Sequence, residues 1–102
     1  MNRRLTLISI VVSLCSVPAL AQTFPTRPVR LVVGYSAGGP TDVIARLIAR
    51  DMSATLGQGV VVENKAGANG LIGTLEVKRA APDGQTVLMT TLSHNVNPIL
   101  MA

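Results

Sequence analysis

Between Val29 and Asp42 the chain reads Val-Arg-Leu-Val-Val-Gly-Tyr-Ser-Ala-Gly-Gly-Pro-Thr-Asp, an order that few folds accommodate. An apolar, β-branched run stops at Gly34, a glycine-rich corner follows, and a helix is expected to begin at Pro40. Proline suits the first helical position, where its missing N–H has no partner to lose and its φ is already set. Gly39 then serves as N-cap, and Asp42 falls in the first turn, facing the positive end of the helix dipole. Strand, glycine corner and helix N-terminus together present backbone N–H groups to an anion.

The chain repeats this arrangement. Gln22 to Pro28 holds two prolines and reads as an extended lead-in. Val29 to Gly34, interrupted only by Arg30, suits a sheet covered on both faces. Val43, Ile44, Leu47, Ile48, Met52 and Leu56 recur near helical spacing, which predicts a helix over 40–56 with Arg46 and Arg50 on its other face. Asp42 and Arg46 form an i,i+4 pair, and Gly57 ends the helix. Val60 to Glu63 is a second strand and Asn64 to Gly70 a second loop. A helix over 71–81 is expected next, with Leu71, Ile72 and Leu75 inward and Lys78 and Arg79 in its last turn. Pro82-Asp83-Gly84 is a turn, Thr86 to Thr91 a third strand, and Ser93-His94-Asn95 a third loop. Asn97 and Pro98 read as N-cap and first residue of a third helix, of which Ile99 to Ala102 is present. The pattern β-α-β-α-β-(α) implies an α/β fold with parallel strands and right-handed crossovers. In such sheets ligands sit beyond the carboxyl ends of the strands, where all three polar loops fall.

Met1 to Ala21 is set apart as a secretory signal peptide: Arg3 and Arg4, an apolar stretch from Leu5 to Val17, then Ala19-Leu20-Ala21 before the cut. Cys15 is preceded by bulky Leu14, which argues against lipid modification. Of nine Lys and Arg, two leave with the signal, so seven face five Asp and Glu and the mature net charge is +2. The cations are scattered, and nucleic acid is not expected as a partner. The mature chain has no cysteine and His94 as its single histidine, too few ligands for a metal site. A short exported domain without disulfides is either a marginal fold or part of something larger.

Gly34-Tyr35-Ser36-Ala37-Gly38 fits G-x-S-x-G, the nucleophile elbow of α/β-hydrolases, and Asp83 and His94 follow in the required order. Against a triad, the elbow follows the first mature strand, and Asp83 sits at the amino end of the third. Gly34, Gly38 and Gly39, with Glu63 ending the second strand, also resemble a degraded dinucleotide fingerprint, but the spacing is wrong and Pro40 stiffens its last position. No phosphate-loop Lys-Ser or Lys-Thr is present. His94 either hydrogen-bonds a ligand or holds its own loop.

Larger blocks carry a resemblance. Arg27-Pro28-Val29-Arg30-Leu31-Val32-Val33, Ala37-Gly38-Gly39-Pro40-Thr41-Asp42, Val60 to Gly70, Ala81-Pro82-Asp83-Gly84 and then His94, Asn97 and Pro98 resemble the Bug/TctC family over nearly the whole mature chain. These are periplasmic solute receptors of tripartite tricarboxylate transport systems. The resemblance implies one parallel-sheet lobe of a two-lobed, type II periplasmic binding-protein fold, and a small carboxylate ligand held through backbone groups and ordered water. Ser36, Ala66 and Asn69 depart from the residues usual in the family. The family's chains are also much longer, so residues 22–102 are expected to be the N-terminal part of a first lobe, with hinge and second lobe absent.

The resulting expectation is a periplasmic receptor fragment that binds a small organic carboxylate for a tripartite tricarboxylate-type transporter, with no enzymatic activity and no cofactor. The expected partners are the ligand and the transporter's membrane subunits, reached through the complete receptor, and a monomer is expected. Ser36, Ala37, Gly38, Gly39 and Gly70 would line the ligand with backbone. Thr41 and Ser93 would offer hydroxyls, and Asn69 and Asn95 amides, with His94 beside them. Asp42 either holds a ligand amine or water, or steadies its own helix. A secreted esterase using Ser36 and a non-functional truncated product remain as alternatives. Intact-mass measurement of exported protein is expected to give a chain beginning at Gln22; a retained, lipid-bearing Cys15 would refute this.

Overall fold

The computed structural model of the chain describes Ala21 and residues 23–100; the expected signal peptide, Ala21 apart, lies outside the described residues. Three strands, β1 (Val29–Val33), β2 (Val60–Asn64) and β3 (Thr86–Met89), form a parallel sheet in the order β2-β1-β3. Between and after them come α1 (Pro40–Leu56), a 3-10 turn (Ala68–Gly70), α2 (Leu71–Arg79) and α3 (Ser93–Leu100). The βαβαβ reading is therefore observed. Strand β1 is central, paired in parallel on both edges, and its Val29, Leu31, Val32 and Val33 are buried.

Alternation along β1 assigns its two faces. Leu31 and Val33 point to one side, where they pack with Ala45 and Ala49 of α1, flanked by Val60, Val62, Val87 and Met89. Arg30 points to the other side. Its guanidinium binds both carboxylate oxygens of Glu63, at 3.0 and 2.6 Å, and Glu76 of α2 at 3.0 Å. These bonds, Glu63 first, raise the Arg30 pKa and lower that of Glu63. The charge that interrupts an otherwise apolar strand is thus matched from β2 and α2.

Helix α1 begins at Pro40 with Gly39 as N-cap and ends on Gly57 in the left-handed region (φ 68°), as the sequence predicts. Its buried stripe differs from the apolar one. Asp42, Ala45 and Ala49 face the sheet, while Val43, Ile44, Leu47 and Ile48 are 42–60% exposed. Small residues bring the helix axis close to the strands, and the bulkier stripe is left on the flank. Ser53 completes this inner stripe, accepting a 2.9 Å bond from Val60 N–H where β2 starts.

Helix α2 likewise buries Gly73, whereas Leu71 and Ile72 point outward, contrary to the periodicity reading. The cause is steric. A Cβ on Gly73 would stand 2.9 Å from the Gly34 Cα, and a Cβ on Gly34 would stand 2.9 Å from the Gly70 Cα. Backbone meets backbone here, leaving no room for a side chain between helix and strand. At the opposite end of the sheet, buried Gln85 pins the lead-in: its amide oxygen accepts from Arg27 N–H at 3.1 Å, and its backbone carbonyl accepts from Arg30 N–H at 2.8 Å.

The third helix starts earlier than expected. Ser93, His94 and Asn95 form its first turn, so they are not a loop, and Asn97 and Pro98 lie inside it. Winding begins with i→i−3 bonds from His94 N–H to Thr91 and from Asn95 N–H to Leu92. Pro98 then forgoes the bond to the His94 carbonyl, a loss an eight-residue helix sustains near its end.

Gly73→Ala is expected to lower unfolding stability by about 1–3 kcal/mol through overpacking against β1. Gly59→Ala, whose Cβ would meet nothing nearer than the Pro28 Cβ at 4.0 Å, should be nearly neutral. Denaturant melts of the two variants make the comparison.

Candidate functional site

At the carboxyl end of the sheet three segments gather: the corner after β1, the loop after β2, and the start of α3 after β3. The corner is a tight turn in which Gly39 N–H approaches the Ser36 carbonyl at 3.4 Å, with Gly38 at φ 83°. Ser36, Ala37 and Gly38 are exposed and Gly39 and Thr41 half-buried. A Cβ on Gly38 would meet nothing within 4 Å. Backbone and open space therefore face each other at this corner.

Asp42 holds it in shape. The residue is 3% exposed; its Oδ2 accepts from Gly38 N–H and from Arg46 Nε, both at 2.9 Å, and its Oδ1 accepts from Asn64 Nδ2 at 2.9 Å. Asn64 also donates to the Tyr35 carbonyl at 3.1 Å. One carboxylate thus links the corner, α1 and the end of β2. The Arg46 bond, followed by those from Gly38 and Asn64, brings its pKa down to about 2. Of the two roles open to Asp42 in the sequence, the geometry favours the brace.

In the second loop Ala68 and Asn69 both take positive φ, 49° and 53°. Asn69 Nδ2 donates to Asn97 Oδ1 at 2.9 Å, and Asn97 Nδ2 donates back to the Asn69 carbonyl at 3.0 Å. Asn69 thus spends its amide on α3, which explains why Asn97 is buried inside that helix. His94 Nδ1 lies 3.3 Å from Thr74 Oγ1. Leu71, Thr74, His94, Asn97 and Pro98 line a cleft of about 310 Å³ between α2 and α3. Asn95 is exposed, with its backbone N–H bonded to Leu92.

The third meeting point went unread in the sequence. Tyr35 OH lies 2.6 Å from Thr91 Oγ1 and 2.8 Å from Ser93 Oγ, and those two oxygens are 2.7 Å apart. The same phenol lies against the second loop, since a Cβ on Gly70 would stand 3.2 Å from its oxygen. Of the expected site residues, Ser93 and Gly70 meet here. Asn64, Thr74, Thr91 and Asn97 join Tyr35 as polar groups that were not among the expected site residues. The signal for Tyr35 was its place directly after the strand-ending glycine.

Ser36, Asp83 and His94 are not assembled into a triad. Asp83 belongs to the opposite end of the sheet, where the Gln85 N–H and then Arg27 lower its pKa. His94 turns to Thr74 instead of Ser36.

Comparison with known proteins places this geometry. Residues 44–102 match the sequence profile described as tripartite tricarboxylate transporter family receptor, TctC. The chain belongs to that family. It is 43% identical over 95 residues to the BugT protein of Bordetella pertussis, covering 91% of this chain and 29% of the relative. A TctC solute-binding protein from Polaromonas, solved without ligand, superposes with a TM-score of 0.74 at 38% identity, over 78% of this chain and 27% of that one. MatC from Rhodopseudomonas palustris, solved with bound malate, superposes with a TM-score of 0.61 at 49% identity, over 64% and 22%. The chain therefore spans less than a third of the length of the TctC-family relatives it matches.

Asp42 generates a pH prediction. Its folded pKa lies below the ordinary 3.8, so the stability it contributes is present above that value and is lost as pH falls from about 4 towards 2. Asp42→Asn is expected to melt at lower temperature at neutral pH, because three donors then face an amide. Its melting temperature should also depend less steeply on pH between 4 and 2 than the wild type's. Thermal melts across that range measure both effects.

Proposed function

We propose that residues 22–102 form the N-terminal part of the first lobe of an exported, monomeric, two-lobed receptor. In this reading the receptor captures a small organic carboxylate in the periplasm and hands it to the membrane subunits of a tripartite tricarboxylate-type transporter. Cleavage after Ala21 would release it. The observation that carries the reading is the gathering of three glycine- and hydroxyl-bearing segments at one end of the sheet, in a chain of this family. The malate in the R. palustris relative supports a carboxylate as the ligand class.

The chemistry suits an anion held mainly by backbone and hydroxyl groups. A helix N-terminus carries about half a positive charge, and α1 begins at the exposed glycine corner, where the Gly38 N–H is already taken by Asp42. Glycine there lets a carboxylate approach the backbone as a Cβ would not. Arg46, the cation beside the corner, is already committed to Asp42 and Asn64. A site made of N–H and O–H groups binds through geometry, and closing a second lobe over it would strengthen each bond by excluding water. Residues 22–102 alone are expected to bind weakly, in roughly the millimolar range.

NMR titration of the chain with malate tests the reading. Backbone amide shifts are expected at Gly38 and Gly39. Gly39→Val should abolish them, because Gly39 has an ordinary φ of −76° that valine can adopt and the added side chain would crowd the corner beside the Ser36 carbonyl. Ser36→Ala should keep the affinity within about tenfold, the size of one neutral hydrogen bond. Covalent labelling of Ser36 by an organophosphonate would favour the esterase instead.

A further inference from the structure

We infer that Tyr35 is a ligand-binding residue, donating its phenolic O–H to the ligand's carboxylate from a triangle of hydroxyls completed by Thr91 and Ser93. The inference rests on the receptor reading above and adds to it a side-chain donor.

The triangle has edges of 2.6, 2.8 and 2.7 Å, and each oxygen belongs to a group that is both donor and acceptor. Three protons satisfy three edges when each hydroxyl donates once around the ring. Closed in this way, the ring presents only lone pairs outward. A carboxylate needs a donor, so one proton must turn out of the ring. Phenols ionise near pH 10, far below aliphatic alcohols, so Tyr35 is the strongest donor of the three. When its proton turns outward, Thr91 and Ser93 both remain able to donate to its oxygen. Only the Thr91–Ser93 edge is surrendered.

That exchange favours the ligand. A neutral hydroxyl pair is given up for a charge-assisted bond, which is roughly twice as strong. Two O–H groups pointing into the phenol oxygen polarise it further and make it a better donor. The same pair, Ser93 first and Thr91 second, holds the Tyr35 pKa below its ordinary value. Access is also provided. Thr91 is exposed and Tyr35 half-buried, and glycine at position 70 lets the second loop pack beside the phenol oxygen, which a Cβ would crowd at 3.2 Å. Segments following all three strands meet at this oxygen, which places the donor where a ligand shared among them would lie.

Tyr35 is the chain's single tyrosine and there is no tryptophan, so its spectrum reports on this site alone. Malate titrated into the chain is expected to produce a saturable red shift of the phenol absorption band and quenching of its fluorescence. Dimethyl malate, which lacks the charge, should produce neither. Tyr35→Phe should weaken malate binding, followed by amide shifts at Gly38 and Gly39, by about tenfold or more while the amide spectrum stays dispersed. Thr91→Val, which keeps the phenol, should cost less than Tyr35→Phe. Amide shifts that saturate with malate while the phenol spectrum stays still would overturn the inference and leave the receptor reading standing, as would wild-type affinity in Tyr35→Phe. An absence of amide shifts anywhere at high malate would overturn the receptor reading itself, and this inference with it.

Discussion

Backbone contact among Gly34, Gly70 and Gly73 is the constraint on which the rest of the structure depends. It seats α2 directly against the end of β1 and draws the loop after β2 to the same point. The approach has no slack: a methyl group at position 34 or 73 would stand 2.9 Å from a backbone carbon. Because that loop is held there, the Tyr35 phenol finds Gly70 on one side and the start of α3 on the other. Asp42 performs the equivalent task on the other face, fixing the glycine corner to α1 and β2. Two glues of different kind, steric fit and a buried carboxylate, thus set the positions of all three segments.

Much of this was legible in the residues. The parallel arrangement follows from alternating strands and helices, and Gly39, Pro40 and Gly57 marked the ends of α1 to the residue. What periodicity misjudged was which face of each helix goes in. Counting apolar residues finds the bulkiest stripe, Val43, Ile44, Leu47 and Ile48, but a helix lying close on a sheet turns in its smallest residues, Ala45, Ala49 and Gly73. The same lesson applies to Asp42, a charged residue that belongs to the buried stripe because three donors wait for it. Asn97 was misplaced as a cap because its true partner, Asn69, is 28 positions away. The Tyr35 triangle escaped notice for a similar reason. Residues 35 and 91 become neighbours only once the β1–β3 pairing is known.

The candidate site separates charge from recognition. Arg27 pairs with Asp83, Arg30 with Glu63 and Glu76, and Arg46 with Asp42. These three arginines brace the fold, and apart from Lys65 in the second loop the groups gathered at the candidate site are dipoles. Dipoles fixed by the fold discriminate by direction more than by net charge.

Arg30 also bears on how the sheet comes together. Strand β1 precedes both of its neighbours in the sequence, so as the chain lengthens it is complete before either edge has a partner. Val-Arg-Leu-Val-Val with two open edges would accept almost any strand, including that of another molecule. The guanidinium limits that choice. A foreign strand without carboxylates leaves the guanidinium unpaired, whereas the native arrangement supplies carboxylates from β2 and α2 together. One basic residue in an apolar strand therefore favours the two elements that carry Glu63 and Glu76 over a strand that brings no carboxylate.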